Sequence, residues 1–278
     1  MKKAVRILTL LCLVVMCMSI TAGAATKNGW IKKSNRYYYY ENGKKVKGLK
    51  EINGKTYYFG KKGRQQYSWR KVGDNFYCFN AGYQTDGYML KSTTKNGITL
   101  KKSGKAVISS ERAQKKLEMM VRVSELMDTI TKSKAYTQSK KLKLCYDYLR
   151  RNIPYRSAST LRLYDPDRDI YYVNLLLDNG YADCHPYAFT FAYLANALGY
   201  ESIKVISADN AKVNGTKPHS YVRIGKKYYD PSLGRNPNFG ANVLKKYTFY
   251  EVKSKKFKKY MKRYGHTKTV AKVYLNKL

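Results

Sequence analysis

The stretch that decides the fold of this chain is Asn179–Phe189, which reads NGYADCHPYAF. Apolar residues continue from it at spacings of three and four, the period of a helix, as far as Gly199. Asp183 is a favourable N-cap residue and Pro186 is tolerated in a first turn, whereas glycine commonly ends a helix. The sequence therefore predicts a helix that begins near Cys184 and ends near Gly199.

A cysteine at the start of a helix suits nucleophilic chemistry. The unsatisfied backbone N–H groups and the positive end of the helix dipole favour the thiolate, which is the reactive form of the side chain. The same N–H groups can bind a developing oxyanion, and Tyr181 is the candidate for a side-chain donor. A cysteine in this position can equally be structural. The interpretation therefore depends on a partner base.

The partner base is predicted in a hairpin further along the chain. The segment His219–Asp230 reads HSYVRIGKKYYD and predicts two antiparallel strands joined at its Gly-Lys pair. With a two-residue turn, Asp230 lies opposite Tyr221, and His219 shares a strand face with Tyr221. His219 and Asp230 are then diagonal neighbours. A carboxylate so placed holds the imidazole in one tautomer while the other ring nitrogen faces the sulfur.

Two further helices are predicted between Ser110 and Pro154, where apolar residues again recur at spacings of three and four. Cys145 lies on the apolar stripe of the second helix, which predicts a buried, unreactive thiol. A strand is expected over Ser202–Ser207, before the hairpin. The other two histidines have no predicted partner: we expect His185 on the surface of a helix turn, and His266 in a lysine-rich tail.

These elements resemble the transglutaminase-like superfamily, which is related in logic to papain-type cysteine peptidases. The matching motifs are Gly180-x-x-x-Cys184-x-x-x-Ala188, Pro218-His219 and Gly225-x-x-Tyr228-x-Asp230-Pro231. The resemblance implies an α+β domain over residues 108–278, with helices on an antiparallel sheet and a basic C-terminal tail.

The resemblance also implies a role for three residues. Cys184 is expected to be the nucleophile, His219 the general base and acid, and Asp230 the orienting carboxylate. Active members pass through an acyl-thioester, so water as acceptor gives a peptidase or amidase and an amine gives a crosslinker. We expect a peptide or protein substrate, and neither a cofactor nor a metal.

The first third of the chain is repetitive. Residues 29–107 show a period near 20, with marker glycines at positions 43, 63, 82 and 104. Each unit predicts a short aromatic strand, a glycine-containing turn and a second strand. Because one hairpin is marginal in water, stacked copies are expected to bury each other's aromatic faces. The prediction is a small β-hairpin solenoid over residues 25–107.

These repeats resemble the cell-wall-binding repeats of Gram-positive surface proteins, which carry a Gly-Trp pair, an aromatic run and an Asn-Gly turn. In that family, grooves between hairpins bind choline or glucan through aromatic faces. The candidate wall-ligand residues are Trp30, Tyr38, Tyr39, Tyr57, Tyr58 and Trp69. The alternative is that these aromatics form only the stacking core. Tryptophan is scarce, which argues against choline, since cation–π attraction favours that residue.

The N-terminus predicts export. Basic residues precede an apolar run, Ile7–Ile20, and the small residues that follow end at Ala24. This pattern predicts a signal peptide over residues 1–24, cut after Ala24. The remaining cysteines, three in number, cannot all pair with one another, so a disulfide framework is not expected. Nothing after the signal peptide is apolar for long enough to span a membrane.

The formal charge of +37 favours acidic partners. Residues 25–107 alone carry 19 Lys or Arg against four Asp or Glu. Export and the repeats favour anionic or glucan-like wall polymers, and nucleic acid is not expected because no reading motif occurs. The sequence predicts a secreted, wall-associated thiol enzyme. The alternative is a non-catalytic wall-binding or adhesion protein whose transglutaminase-like domain is inactive.

Overall fold

A computed structural model describes most of the chain. The described residues are 26–34, 36–81, 86–131, 137–157, 159–210, 218–233, 249–263 and 265–275. The expected signal peptide and the marker glycine at position 82 lie outside them. The described part is a mixed α+β structure with small antiparallel hairpins, as the sequence predicts. Within it, no helix combines the length and the apolar character needed to cross a bilayer.

The N-terminal part consists of successive hairpins. Its strands are β1 Gly29–Lys33, β2 Arg36–Glu41, β3 Lys44–Lys45, β4 Gly48–Ile52, β5 Lys55–Phe59, β6 Ser68–Val72, β7 Asn75–Phe79, β8 Thr93–Lys95 and β9 Ile98–Leu100. β1 pairs with β2, β4 with β5, β6 with β7 and β8 with β9, all antiparallel. The aromatic strands β2, β5 and β7 are the second strands of their hairpins, whereas the sequence predicts the aromatic strand as the first.

Backbone hydrogen bonds join each unit to the one before it. The N–H of Gln65 donates to the carbonyl of Tyr37 at 2.9 Å, and the N–H of Met89 donates to the carbonyl of Thr56 at 2.7 Å. Each donor follows the aromatic strand of its own unit, and each acceptor lies in the aromatic strand of the preceding unit. A regular offset of this kind builds a solenoid, because every unit satisfies polar groups of its neighbour.

The described residues after the hairpins form five helices: α1 Glu111–Ile130, α2 Gln138–Asn152, α3 Arg168–Asn179, α4 Cys184–Ala197 and, after the sheet has begun, α5 Ser254–Arg263. Ser110 caps α1 by accepting a hydrogen bond from the N–H of Ala113. α2 ends two residues before Pro154, as predicted. Every residue of α4 is buried, so this helix lies at the centre of the core.

The described part of the C-terminal sheet has five strands: β10 Ile203–Asn210, β11 His219–Ile224, β12 Lys227–Tyr229, β13 Val252–Lys253 and β14 His266–Tyr274. They lie in the order β13-β12-β11-β10-β14, and all neighbours are antiparallel. Val222 pairs with Tyr229 and Ile224 with Lys227, which confirms the predicted two-residue turn and its register. The expectation for the basic tail missed β14, which pairs along most of β10 and forms one edge of the sheet.

The hairpins and the helices share a core. Trp69 and Phe76 belong to the same buried cluster as Leu117 of α1 and Phe191 of α4. At the same junction Ser124 donates to Ser68 with 3.2 Å between their oxygens. The last hairpins are thus packed against the helices. The boundary between residues 107 and 108 remains a prediction.

Candidate active site

Cys184 occupies the first position of α4. The carboxylate of Asp183 caps this helix, because its Oδ1 accepts a hydrogen bond from the N–H of His185 at 3.3 Å. The same carboxylate also accepts hydrogen bonds from the backbone N–H and the hydroxyl of Ser159, at 2.9 and 2.7 Å. The predicted helix start is therefore confirmed. The cap is fixed from outside the helix, which holds the cysteine in a defined position.

His219 and Asp230 meet as the register predicts. The Nε2 atom of His219 lies 2.5 Å from Oδ2 of Asp230, and both side chains are buried. Oδ1 of Asp230 accepts hydrogen bonds from the N–H and hydroxyl of Ser232 and from the N–H of Leu233. Because four donors hold this carboxylate, it has little freedom to rotate. Nδ1 is then the ring nitrogen of His219 that remains available to the sulfur.

The sulfur of Cys184 lies at the junction of the helix and the sheet, 3.9 Å from the carbonyl oxygen of Pro218. Burial alone would raise the pKa of this thiol. The charge of His185 and hydrogen bonds to His185 and His219 outweigh burial, and together they lower the pKa to about 6. At neutral pH the thiolate is therefore favoured.

The pKa of the His219 imidazole is shifted in the opposite direction, upwards. Burial lowers its pKa, but the carboxylate of Asp230 and the contact with Cys184 raise it to about 10. Burial acts to raise the pKa of Asp230, whereas His219, Ser232 and Leu233 lower it below the ordinary value. The buried group is thus best described as a thiolate, an imidazolium and a carboxylate. The two negative groups flank one positive ring, which satisfies the need of buried charges for partners.

The expectation that His185 is a surface residue is wrong. Its side chain is buried, its Nδ1 lies 3.4 Å from the sulfur of Cys184, and its ring stacks on Tyr172 with 5.2 Å between centroids. The first turn of α4 points inward at this position, so the residue after the cysteine faces the site. Its Nε2 has no hydrogen-bond partner among the described residues.

The expectation that His266 has no partner is also wrong. β14 brings this residue beside β10, where its ring lies over that of His219 with 5.2 Å between centroids. Burial and the charge of His219 lower the pKa of His266 to about 4, so the ring is neutral at pH 7. Sequence reasoning missed this contact because it follows from the long-range pairing of the basic tail with β10.

Tyr155 is a further residue of the site that sequence reasoning did not select. The segment around it runs parallel to the one before α4: Tyr155 and Ala182 form a parallel bridge, and the N–H of Arg156 donates to the carbonyl of Ala182 at 2.9 Å. Burial, followed by the charge of Cys184, raises the pKa of the Tyr155 hydroxyl, and a hydrogen bond from the backbone N–H of Cys184 opposes the rise. Tyr155 thus lies next to both the sulfur and the first N–H of the helix.

Tyr181, the residue expected to donate to an oxyanion, lies elsewhere. It is half-buried, and the guanidinium of Arg156 lies over its ring at 5.5 Å. Tyr155 is in the better position for that role, since it contacts Cys184 itself.

Three neighbouring residues at the start of α4 form a candidate metal-binding group. Asp183, Cys184 and His185 offer one ligand atom each, all within 4.8 Å of one another. A structural zinc site takes four such ligands. The carboxylate of Asp183 is already engaged by Ser159 and by the helix cap. This cluster therefore fits a capped helix start better than a structural zinc site.

The other two cysteines of the described residues are of a different kind. Cys78 and Cys145 are buried free thiols, and burial raises the pKa of each to about 12. The prediction that Cys145 is buried is confirmed. Cys184 is therefore the one cysteine in the described part of the chain whose pKa is lowered.

The candidate wall-ligand residues differ in how much of their surface is exposed. Trp30 packs against Tyr39, Tyr57 and Phe59, with 5.0 to 5.7 Å between ring centroids. Tyr38 and Tyr57 are buried, whereas Trp30, Tyr39 and Tyr58 keep part of their surface exposed. The half-buried residues are the ones that retain a face for a ligand.

Trp69 differs from the other candidates. It is 2% exposed, lies in the core shared with the helices, and donates from Nε1 to Oδ1 of Asn96 at 3.2 Å. No useful ring surface is left for a ligand, so a packing role replaces the predicted binding role.

A comparison with protein-family models finds no match, and a comparison with curated proteins finds none either. Among solved structures, the chain is similar to the choline binding domain of Spr1274 from Streptococcus pneumoniae, at 26% identity and a TM-score of 0.27. This similarity covers 30% of the chain and 99% of that domain.

The choline-binding domain of CbpL from the same organism is 27% identical over 31% of the chain and 45% of that structure, at a TM-score of 0.25. The Cpl-1 endolysin, solved with a peptidoglycan analogue, is 23% identical over 30% of the chain, which spans 25% of that structure, also at 0.25. TM-scores below 0.5 do not establish a shared fold. The description of the hairpin units therefore depends on their own strands and hydrogen bonds.

Proposed function

We propose that this protein is a secreted, wall-associated thiol enzyme of the transglutaminase-like type, which cleaves or transfers peptide or isopeptide acyl groups. The observation that supports the proposal best is the arrangement of one imidazole between two partners. Asp230 holds Nε2 of His219, and the interaction of the same ring with Cys184 is one of the causes that lower the pKa of the thiol to about 6. This is the arrangement that a nucleophilic cysteine needs.

In the first step, the thiolate of Cys184 attacks the carbonyl carbon of the substrate amide and forms a carbon–sulfur bond. The carbonyl oxygen takes the negative charge, and the hydroxyl of Tyr155, whose oxygen accepts a hydrogen bond from the backbone N–H of Cys184, is the group placed to stabilise it. The imidazolium of His219 then gives its proton to the leaving nitrogen. The carbon–nitrogen bond breaks, the amine departs, and an acyl-thioester with a neutral His219 remains.

In the second step, the neutral imidazole of His219 takes a proton from the acceptor, which is water or an amine. The acceptor attacks the thioester carbon, the carbon–sulfur bond breaks, and the thiolate of Cys184 leaves. Hydrolysis returns a carboxylic acid, and aminolysis returns a new amide. His219 is left protonated and Asp230 ionised, which is the state in which the cycle began.

The repeats would hold the enzyme near its substrate. Their excess of Lys and Arg suits the anionic polymers of a bacterial wall, and Trp30, Tyr39 and Tyr58 keep the exposed aromatic surface that sugar-like ligands use. Attachment of this kind raises the local concentration of substrate without any new catalytic contact.

The test is to incubate purified wall peptides with the full chain and with its Cys184→Ala variant, in reductant, and to compare the products by mass spectrometry. We expect a product with the wild-type chain that is missing with the variant. A mass gain of water identifies hydrolysis, and a joined pair of peptides identifies transfer. Identical digests, together with equal iodoacetamide labelling of Cys78, Cys145 and Cys184, would instead support a non-catalytic wall-binding protein.

A further inference from the structure

A cavity of about 490 Å³ opens beside the candidate active site, between α5, β14 and one face of the sheet. Its floor is apolar: Phe257 stacks on Tyr228 at 4.7 Å and lies 4.8 Å from Tyr221, measured between ring centroids. Ile206 and Met261 complete this floor. A surface of this composition suits the methylene groups and peptide planes of a ligand.

The rim of the cavity is basic. Lys258 and Lys262 lie one turn apart on α5, and Lys272 of β14 and Arg223 of β11 line the same cavity. No acidic residue is among the described residues that line this cavity. Four cations without a neutralising carboxylate in the lining create a site that attracts an anion.

The cavity reaches the candidate active site through one residue. His266 lines it, and the ring of His266 lies over that of His219. Tyr221 follows His219 by two residues on β11, so the two side chains share one face of the strand. A peptide bound along this face would therefore extend from the cavity towards the imidazole that contacts Cys184.

We propose that this cavity binds an acidic residue of the substrate peptide, with its carboxylate at the lysines of the rim and its aliphatic part on the aromatic floor. This inference rests on the proposed function, since it names the substrate class of the same site. A carboxylate-bearing peptide fits both halves of the cavity. A hydrated polyphosphate would use only the cations and would gain nothing from the rings of Tyr221, Tyr228 and Phe257.

Binding is tested on the full chain carrying Cys184→Ala, so that no turnover occurs. The probes are acetyl-Ala-Glu-Ala amide and acetyl-Ala-Gln-Ala amide, which have nearly the same shape and differ by one charge. We expect the Glu peptide to bind more tightly, and the preference to shrink as salt screens the rim. The double variant Lys258→Met/Lys262→Met is expected to weaken binding of the Glu peptide by about three- to tenfold, the effect of losing two exposed cations.

The matched control is Lys255→Met/Lys259→Met, which removes two exposed lysines of the same helix that do not line the cavity. It is expected to retain the preference for the Glu peptide. Equal binding of the two peptides, equal losses in the two double variants, or tighter binding of glycerol phosphate than of the Glu peptide would each overturn the proposal.

Failure of the cavity proposal can be told apart from failure of the proposed function. Iodoacetamide is neutral, and it is too small to touch the lysines of the rim while it reacts with Cys184. Its reaction with Cys184 in the wild-type chain therefore reports on the thiolate alone. If Cys184 is unreactive but the chain still prefers the Glu peptide, the cavity proposal stands and the proposed thiol enzyme is contradicted. If Cys184 is reactive but the chain does not prefer the Glu peptide, the proposed thiol enzyme stands and the cavity proposal is contradicted.

Discussion

The Nδ1 atom of His185 lies 3.4 Å from the sulfur of Cys184, although the two residues are neighbours in one helical turn. His219, on the sheet, is the second imidazole whose interaction with Cys184 lowers the pKa of the thiol. The lowered pKa of Cys184 thus has two separate sources, one within its own helix and one across the fold. The two sources can be removed one at a time.

The first prediction concerns the nearer imidazole. His185→Gln keeps a polar side chain of similar reach but removes the imidazole whose interaction lowers the pKa of Cys184. We expect the pH midpoint for iodoacetamide alkylation to move up from about 6 towards the ordinary thiol value, and the rate at pH 6.5 to fall by about tenfold, because the thiolate fraction falls. The rate is measured by peptide mass spectrometry.

Cys145 serves as the internal control for this experiment, because its raised pKa and burial keep it unreactive in both chains. An unchanged midpoint in the His185→Gln chain would assign the whole effect to His219. A further fall on His219→Ala would show that the two imidazoles act independently.

The second prediction concerns stability against pH. The pKa of His219 is raised from 6.5 to about 10 on folding, so its charge stabilises the fold fully below pH 6.5 and the contribution is lost as the pH rises towards 10. Cys184 has the opposite dependence, since its pKa is lowered, and it must be removed from the comparison. In a Cys184→Ala chain, Asp230 still raises the pKa of His219.

We therefore expect the melting temperature of Cys184→Ala to fall between pH 7 and pH 10 more steeply than that of Cys184→Ala/His219→Gln. Thermal unfolding followed by circular dichroism measures both. Parallel curves for the two chains would mean that His219 titrates at its unfolded value, which would contradict the buried ion pair with Asp230.

The third prediction separates oxyanion stabilisation from thiol activation. Tyr155→Phe removes only a hydroxyl, and this hydroxyl lies next to the backbone N–H of Cys184. Because alkylation generates no oxyanion, the iodoacetamide rate is expected to change by less than about twofold. Turnover of a wall peptide should fall by a factor on the order of 10²–10³, the range found when one oxyanion donor is lost.

Tyr181→Phe is the matched control for Tyr155→Phe, because its ring lies under Arg156 rather than at the sulfur. It should leave both rates unchanged. A loss of turnover with Tyr181→Phe but not with Tyr155→Phe would restore the role that the sequence suggested for Tyr181.

Which parts of the site can be predicted from the sequence depends on how far apart in the chain the contacting residues are. The start of α4, the turn at Gly225 and the meeting of His219 with Asp230 follow from local caps and from strand alternation, and all three were predicted. His266 required the pairing of β14 with β10 across more than 50 residues, which no local pattern encodes.

Tyr155 and His185 were missed for different reasons. Tyr155 reaches Cys184 through a parallel bridge to Ala182, a contact between two irregular segments. The sequence predicts His185 on the surface of a helix turn. Here α4 is buried along its whole length, so tertiary packing overrides that expectation.

The last prediction tests the role of Trp69. Its burial among the helices and its hydrogen bond to Asn96 identify it as a core residue, so Trp69→Ala is expected to destabilise the chain by about 3–5 kcal/mol. Trp69→Phe, which loses the indole N–H but keeps an aromatic ring, should cost less. Chemical denaturation measures both values.

At a temperature where the variants remain folded, Trp69→Phe should bind purified wall as the wild-type chain does, whereas Trp30→Ala should bind it more weakly. Loss of wall binding in a stably folded Trp69→Phe chain would return this residue to the ligand-binding set.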